Sequence, residues 1–297
     1  MKVREPFSDS CSPTFTMNRH CTNSSSQIVL SVSLVVFYPN ESQLQRTLQS
    51  LAIATRPLFL HYNDAEIEIV VIDNGGGEVA QIFIDRLSDS GLRFKYVVGH
   101  GNVGYGRGHN LAIKQASSRY HLILNPDVDL DASALLSALG FLDANPAVGL
   151  VAPWVGDSNG RQQYLCRRFP SPLDFFMRGF LPLRLQGKFP RSFAHYEMRD
   201  VIDEKNAFWD PLIVSGCFML FRTDIIKRLN GFDPRYFLYF EDYDLSMRTH
   251  EIARVVYVPW VRILHYGGGA SRKGWKHRKL FAVSAIKFFN RFGWKWL

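Results

Sequence analysis

Cysteine is scarce: the 297-residue chain has four, Cys11, Cys21, Cys166 and Cys217, and no two form a C-x-x-C pair. That scarcity excludes a zinc ribbon or a disulfide framework and fits a reducing, cytosolic setting. Long apolar runs are also missing. The best candidate, Leu212 to Phe221, is interrupted and well short of the ~18 residues that read as a membrane span. Residues 1–26 contain no apolar stretch of signal-peptide type, only scattered apolar residues and a Ser/Thr/Asn cluster, and read as a flexible extension. Negative charge is absent from the C-terminus, where residues 272–297 hold eight basic residues and no acid. The formal charge of +8 sits wholly in that segment, because elsewhere 27 basic residues face 27 acids.

What is present is a globular composition, 46% hydrophobic and 21% charged, enough for a full core in residues 27–271. The basic C-terminal segment is interleaved with Trp275, Phe281, Phe288, Phe289, Phe292, Trp294 and Trp296. On a helix Phe281, Ala285, Phe288, Phe289, Phe292 and Trp296 share one side, while Lys287, Arg291 and Lys295 follow one another on another. This composition predicts a helix lying on an anionic membrane surface. The alternative is a terminal helix packed on the domain with a solvated basic face. A nucleic-acid patch lacks any accompanying motif, so no nucleic-acid partner is expected.

Along the chain, Ile28 to Tyr38 reads as a buried strand, followed by a turn and an amphipathic helix. Glu66 to Asn74, Phe94 to Val98 and His121 to Asn125 read as three more strands, with a Gly-rich loop and a helix before the last. Strands alternating with helices predict an α/β fold with a mainly parallel sheet flanked by helices, whose strand C-terminal ends line a ligand crevice. The nucleotide-binding half is expected at 27–130 and the acceptor half at 131–271. Residues 161–199, rich in Arg, Phe and Pro, read as a long loop region over the site.

Each strand end carries polar residues. Asp127, Asp129 and Asp131 alternate after the fourth strand, so an extended chain would place them on one face, where they repel unless something positive sits there. Turn chemistry explains Asn-Pro-Asp equally well. Asp127-x-Asp129 can hold a hard divalent cation, Mg²⁺ or Mn²⁺, whose shell phosphate oxygens and water complete. Gly99 to Gly104 fits G-x-G-x-x-G but does not follow the first strand, which argues against a dinucleotide site and for close backbone approach to a sugar nucleotide. Glu241, Asp242 and Asp244 open a helix; capping accounts for one or two of them, and a third, ionised in the crevice, can take a proton from a hydroxyl. His265 is a further candidate metal ligand.

Taken in order, VSLVVFYPNES, IEIVVIDNG, NVGYGRGHN, ILNPDVDL, VSGCFMLFR, GFDPRYFLYFEDYDLSMR and HYGGGAS resemble the inverting family 2 glycosyltransferases of the GT-A fold, over roughly residues 28–271. Within that family the chain is most similar to bacterial rhamnosyltransferases of O-antigen and related polysaccharides. The resemblance implies that Asp73 contacts the nucleobase and that Pro39 and Asn40 shape the nucleoside pocket. It implies that Asn102, Gly104, Arg107 and Asn110 line the nucleotide and its phosphates. Asp127 and Asp129 become the D-x-D, with Asp129 favoured as direct ligand, His265 the late metal-binding histidine, and Asp242 the base, with Glu241 beside it against the substrate. The implied donor is dTDP-β-L-rhamnose. The implied acceptor is a saccharide on a polyprenyl diphosphate, met at the cytoplasmic face of the inner membrane. A UDP-sugar donor on the same scaffold, a non-catalytic membrane-attached module and a nucleotidyltransferase are the competing readings.

Overall fold

A computed structural model describes residues 28–62, 64–77, 79–87, 90–172, 194–267 and 274–295. The N-terminal extension, residues 1–26, lies outside the described residues, as does most of the 161–199 loop region. A nine-stranded sheet organises the chain. Its strands are β1 (Ile28–Val36), β2 (Glu66–Asp73), β3 (Arg93–Val97), β4 (Tyr120–Leu124), β5 (Val128–Leu130), β6 (Val148–Gly156), β7 (Phe208–Trp209), β8 (Phe218–Arg222) and β9 (Arg254–His265). The order is β3-β2-β1-β4-β8-β6-β9-β5, with β7 paired to β9. β3, β2, β1 and β4 are parallel, β8 is reversed, and β6 and β9 again run with the first four. The sheet is thus mixed and mostly parallel, as the alternation of elements predicts.

Helices α1 (Glu41–His61), α2 (Val79–Asp85) and α4 (Ala134–Ala144) bury their apolar residues on one face. On the other lie α3 (Tyr105–Gln115), α5 (Thr223–Arg228) and α6 (Glu241–Thr249). That second face has a polar seam. Ser33 Oγ lies 2.7 Å from His109 Nδ1 and 3.0 Å from His121 Nε2, and Ser31 Oγ lies 2.7 Å from His121 Nδ1. Burial holds both imidazoles below their ordinary range, His121 at about 3.

The last helix, α7 (Trp275–Phe292), corrects an expectation. Its aromatic side faces the protein: Phe288 and Phe289 are fully buried, and Phe281, Ala285 and Phe292 pack with them against Ile213, Tyr236 and Phe240. The aromatic stripe closes a small third core, because burying it there removes more apolar surface from water than a membrane interface would. What α7 turns outward is a different set, with Trp275, Val283 and Ile286 exposed beside Lys276 and Lys279. Among the described residues no helix is long and apolar enough to cross a membrane.

Candidate active site

The D-x-D loop is held from behind by α1. Val128 and Leu130 lie in an edge strand whose outward N–H groups would lack partners, and they donate to Thr47 Oγ1 at 3.1 Å and Ser50 Oγ at 3.1 Å. On its other side β5 pairs with β9, which sets Val128 opposite His265. Asp127 Oδ1 therefore comes within 3.4 Å of His265 Nε2, without forming a hydrogen bond. Asp129 Oδ2 accepts from the Tyr266 hydroxyl at 2.9 Å and lies 3.8 Å from Arg46 Nε. Asp131 turns away and accepts from Ser133 N and Oγ. The three acids do not share one face: His265, Arg46 with Tyr266, and Ser133 each take one.

The donor set suits a hard cation. One buried oxygen on each of Asp127 and Asp129 and the Nδ1 of His265 lack hydrogen-bond partners. Gly267 leaves space there: a Cβ at that position would stand 2.3 Å from Asp127 Oδ2 and 2.7 Å from His265 Nε2. Among the described residues no three acidic, His or Cys side chains converge into a complete cage. That is the pattern of a cation held by one or two protein groups and completed by phosphate and water. The pair closest to sharing an ion is Asp127 with His265, whereas the Asp129 oxygen nearest Arg46 is occupied by Tyr266. Asp129 keeps its other, buried oxygen without a partner, as Asp127 does.

Opposite stands the start of α6. Asp242 accepts from Gly216 N at 3.0 Å and from its neighbour Tyr243 N at 3.0 Å. Burial raises its carboxyl above the ordinary range, while those N–H groups pull it back. Glu241 is buried more deeply, with Oε2 unpartnered, and burial followed by the charge of Asp242 pushes its carboxyl up. The preceding backbone is strained, since Tyr239 and Phe240 both sit at left-handed φ, 71° and 65°. Such conformations persist only where surrounding structure over-determines them, and they cluster at functional sites. Here α7 does so: Phe240 packs 5.1 Å from Phe281 and 5.5 Å from Phe288, and the Tyr239 hydroxyl lies 2.7 Å from His277 Nδ1.

The two sides meet at Tyr105 and Cys217. Tyr105 donates to Gly216 O at 2.7 Å. Burial pushes its phenol well above the usual value, and the charges of Glu241, Asp242 and Asp127 act in the same direction. Burial likewise raises the Cys217 thiol, with both Asp127 and Asp242 adding to it. The backbone joins the two sides directly: Cys217 O accepts from Asn125 N at 2.9 Å, two residues before Asp127, while Gly216 N donates to Asp242 at 3.0 Å.

Several residues expected to line the nucleotide are committed to the scaffold instead. Asn40 caps α1, accepting from Gln43 N at 3.1 Å. Pro39 precedes that cap. Asp73 accepts from Gly75 N at 2.7 Å, Gly76 N at 3.0 Å and the Tyr96 hydroxyl at 2.6 Å. Asn102 accepts from Gly104 N at 3.0 Å. Gly104, at φ 90°, passes so close to Phe237 that a Cβ would stand 2.3 Å from its carbonyl oxygen. Arg107 donates to Pro234 O at 2.6 Å. Asn110 uses both ends of its amide on the backbone of Phe232, at 2.8 Å each. Polar residues at strand ends cap and turn the chain as readily as they bind ligands, and spacing alone does not separate the two uses. Arg46 lies outside every motif, and Tyr105 and Tyr266, within NVGYGRGHN and HYGGGAS, were given no role there; tertiary pairing brings them to the site.

Residues 33–229 match the model of glycosyl transferase family 2. The chain belongs to that family. Among its curated relatives, rhamnosyltransferase WbbL of Escherichia coli K12 is 25% identical over 242 residues, 78% of this chain and 82% of the relative. The N-acetylglucosaminyl-diphospho-decaprenol L-rhamnosyltransferase of Mycobacterium tuberculosis is 27% identical over 254 residues, 80% of this chain and 76% of the relative. Three solved structures share the GT-A fold at low identity. GalNAc-T7 with UDP, GalNAc and Mn²⁺ has a TM-score of 0.61 at 15% identity, covering 90% of this chain and 48% of its own. Mannosyltransferase PcManGT of Pyrobaculum calidifontis with GDP-Man and Mn²⁺ has a TM-score of 0.57 at 16%, covering 90% and 65%. S. aureus TarS 1-349 with UDP has a TM-score of 0.54 at 18%, covering 87% and 66%. The chain therefore spans less than two thirds of each of these three. The protein is a family 2 glycosyltransferase of GT-A fold with rhamnosyltransferase relatives.

Proposed function

We propose that this glycosyltransferase moves L-rhamnose from dTDP-β-L-rhamnose to a saccharide on a polyprenyl diphosphate, inverting the anomeric configuration. The observation that carries the reaction type is the short backbone link through Gly216 and Cys217 between Asp242 and the loop that brings Asp127 to His265. The sugar and the acceptor class rest on the names of the two curated relatives.

In this reading Asp242 accepts the proton of an acceptor hydroxyl as the oxygen attacks the anomeric carbon from the face opposite the nucleoside diphosphate. One bond forms as the other breaks, and no covalent enzyme intermediate is needed. Its two backbone donors, Gly216 N and Tyr243 N, fix the carboxylate in place and keep it ionised. Asp127, Asp129 and His265 would hold Mg²⁺ or Mn²⁺, which when bound would supply positive charge against the departing diphosphate. The exposed Trp275, Lys276, Lys279, Val283 and Ile286 of α7 are the surface assigned to an anionic membrane, where such an acceptor resides.

The test is a donor panel: purified protein, Mg²⁺ and a short-chain GlcNAc-diphosphate-lipid, offered dTDP-L-rhamnose or UDP-sugars. Acceptor-dependent release of dTDP is expected. Release of UDP alone transfers the assignment to a UDP-sugar donor.

A further inference from the structure

Arg167 is a buried cation with most of its capacity unspent. It is 9% exposed, and among the described residues its side-chain hydrogen bond runs from Nη1 to the carbonyl of its neighbour Cys166 at 3.0 Å. A guanidinium keeps its charge at any physiological pH; among the described residues Arg167 makes no direct ion pair, although its charge acts on Asp242, and that burial carries a desolvation cost that a ligand can offset. Its backbone is fixed: Arg167 N donates to Ile213 O at 2.8 Å, and Ile213 N to Arg167 O at 3.1 Å. That bridge sits two residues ahead of Ser215 and Gly216, the loop on which Asp242 rests. The guanidinium lies 5.6 Å from the Tyr196 ring centre, and the Tyr196 hydroxyl lies 2.7 Å from that of Tyr243, the residue after Asp242.

These contacts put Arg167 on the base side of the crevice, away from Asp127 and His265. An in-line displacement sends the leaving diphosphate away from the base, so an anion beside Arg167 belongs to the acceptor. Resting on the reading that the acceptor sugar hangs on a lipid diphosphate, we infer that Arg167 binds a phosphate oxygen of that diphosphate. The contact gives the acceptor a second fixed point besides the hydroxyl at Asp242, which sets which hydroxyl of the sugar is presented.

The test is calorimetric binding of a short-chain GlcNAc-diphosphate-lipid and, separately, of dTDP with Mg²⁺, to wild type, Arg167→Met and Arg167→Lys. Loss of one charge-assisted contact weakens the lipid in Arg167→Met by about 10- to 100-fold. Arg167→Lys should recover part of this, and dTDP affinity should not move. Equal lipid affinity in wild type and Arg167→Met overturns the assignment, as does a fall in dTDP affinity, which would put Arg167 on the leaving group. If Arg167→Met folds poorly, Arg167→Lys beside wild type, with a lipid monophosphate as second probe, reads the same contact. In that case an equal preference for diphosphate over monophosphate in both proteins overturns it. Lipid binding that depends on Arg167 without any sugar transfer would contradict the proposed function and leave this assignment standing.

Discussion

At Gly267 the space of one methyl group separates Asp127 from His265. A Cβ there collides with both, at 2.3 Å and 2.7 Å, while the β9 pairing that carries His265 stays intact. Gly267→Ala is therefore expected to keep the wild-type melting temperature within a degree or two and to need at least tenfold more Mg²⁺ or Mn²⁺ for half-maximal turnover. Metal dependence equal to wild type would place the ion elsewhere. At this scale the sequence offers its clearest candidates where acids exceed what local structure needs. Asp242 stands out because three acids in four residues exceed what a helix start requires, and Asp127 because it follows a buried strand. Asn110, Asp73 and Asn40, expected at the nucleotide, also serve the scaffold through the backbone N–H groups of Phe232, Gly75 and Gln43, a second use that spacing does not reveal. Arg167 went unread because its value lies in contacts to residues about thirty and fifty positions away, which no local spacing encodes.

Elements explain why the C-terminal helix matters to chemistry. The segment before Asp242 holds two consecutive left-handed non-glycine residues, a conformation costing about 1–3 kcal/mol each. Phe281, Phe288 and His277 of α7 hold it. Arg291 adds an ion pair to the buried Asp244, 2.8 Å away, which Arg248 also engages. Truncating the fully buried Phe288 to Ala should cost about 3–5 kcal/mol of stability and lower kcat more than it raises the donor KM. A calorimetric melt beside steady-state kinetics checks both, and a variant with full kcat would show that the elbow stands without α7. Periodicity correctly grouped Phe281, Ala285, Phe288 and Phe289 on one side. It could not say whether protein or lipid covers that side, since both offer an apolar surface.

The seam of Ser31, Ser33, His109 and His121 yields an acid limit. Burial depresses both imidazoles, so the unfolded chain binds protons that the folded one refuses. Their contribution is complete above the ordinary histidine value of about 6.5 and is lost as pH falls from there toward about 3. Denaturant midpoints measured from pH 7 down to pH 4 should fall steadily, and His121→Asn should flatten the slope. A midpoint independent of pH would mean that these groups titrate normally.

Across the whole molecule, one sheet brings distant motifs to a single edge. The strand ends after β1, β2, β3 and β4 lie along one edge, and the reversed β8 and the long β9 return Gly216 and His265 to it. The alternation of strands and helices made the parallel first four strands readable. The rest was less so, because β5, α4 and β6 join through mixed pairings whose register depends on partners far along the chain. Transfer with inversion, driven by Asp242, is the claim on which the account stands. It is tested most directly by following dTDP-β-L-rhamnose and a GlcNAc-diphosphate-lipid by proton NMR, with wild type beside Asp242→Asn. Wild type should form the α-L-rhamnoside as first product, and Asp242→Asn should lose about 10²- to 10⁴-fold in kcat while still binding dTDP. A β-linked first product, or undiminished turnover in Asp242→Asn, would contradict it.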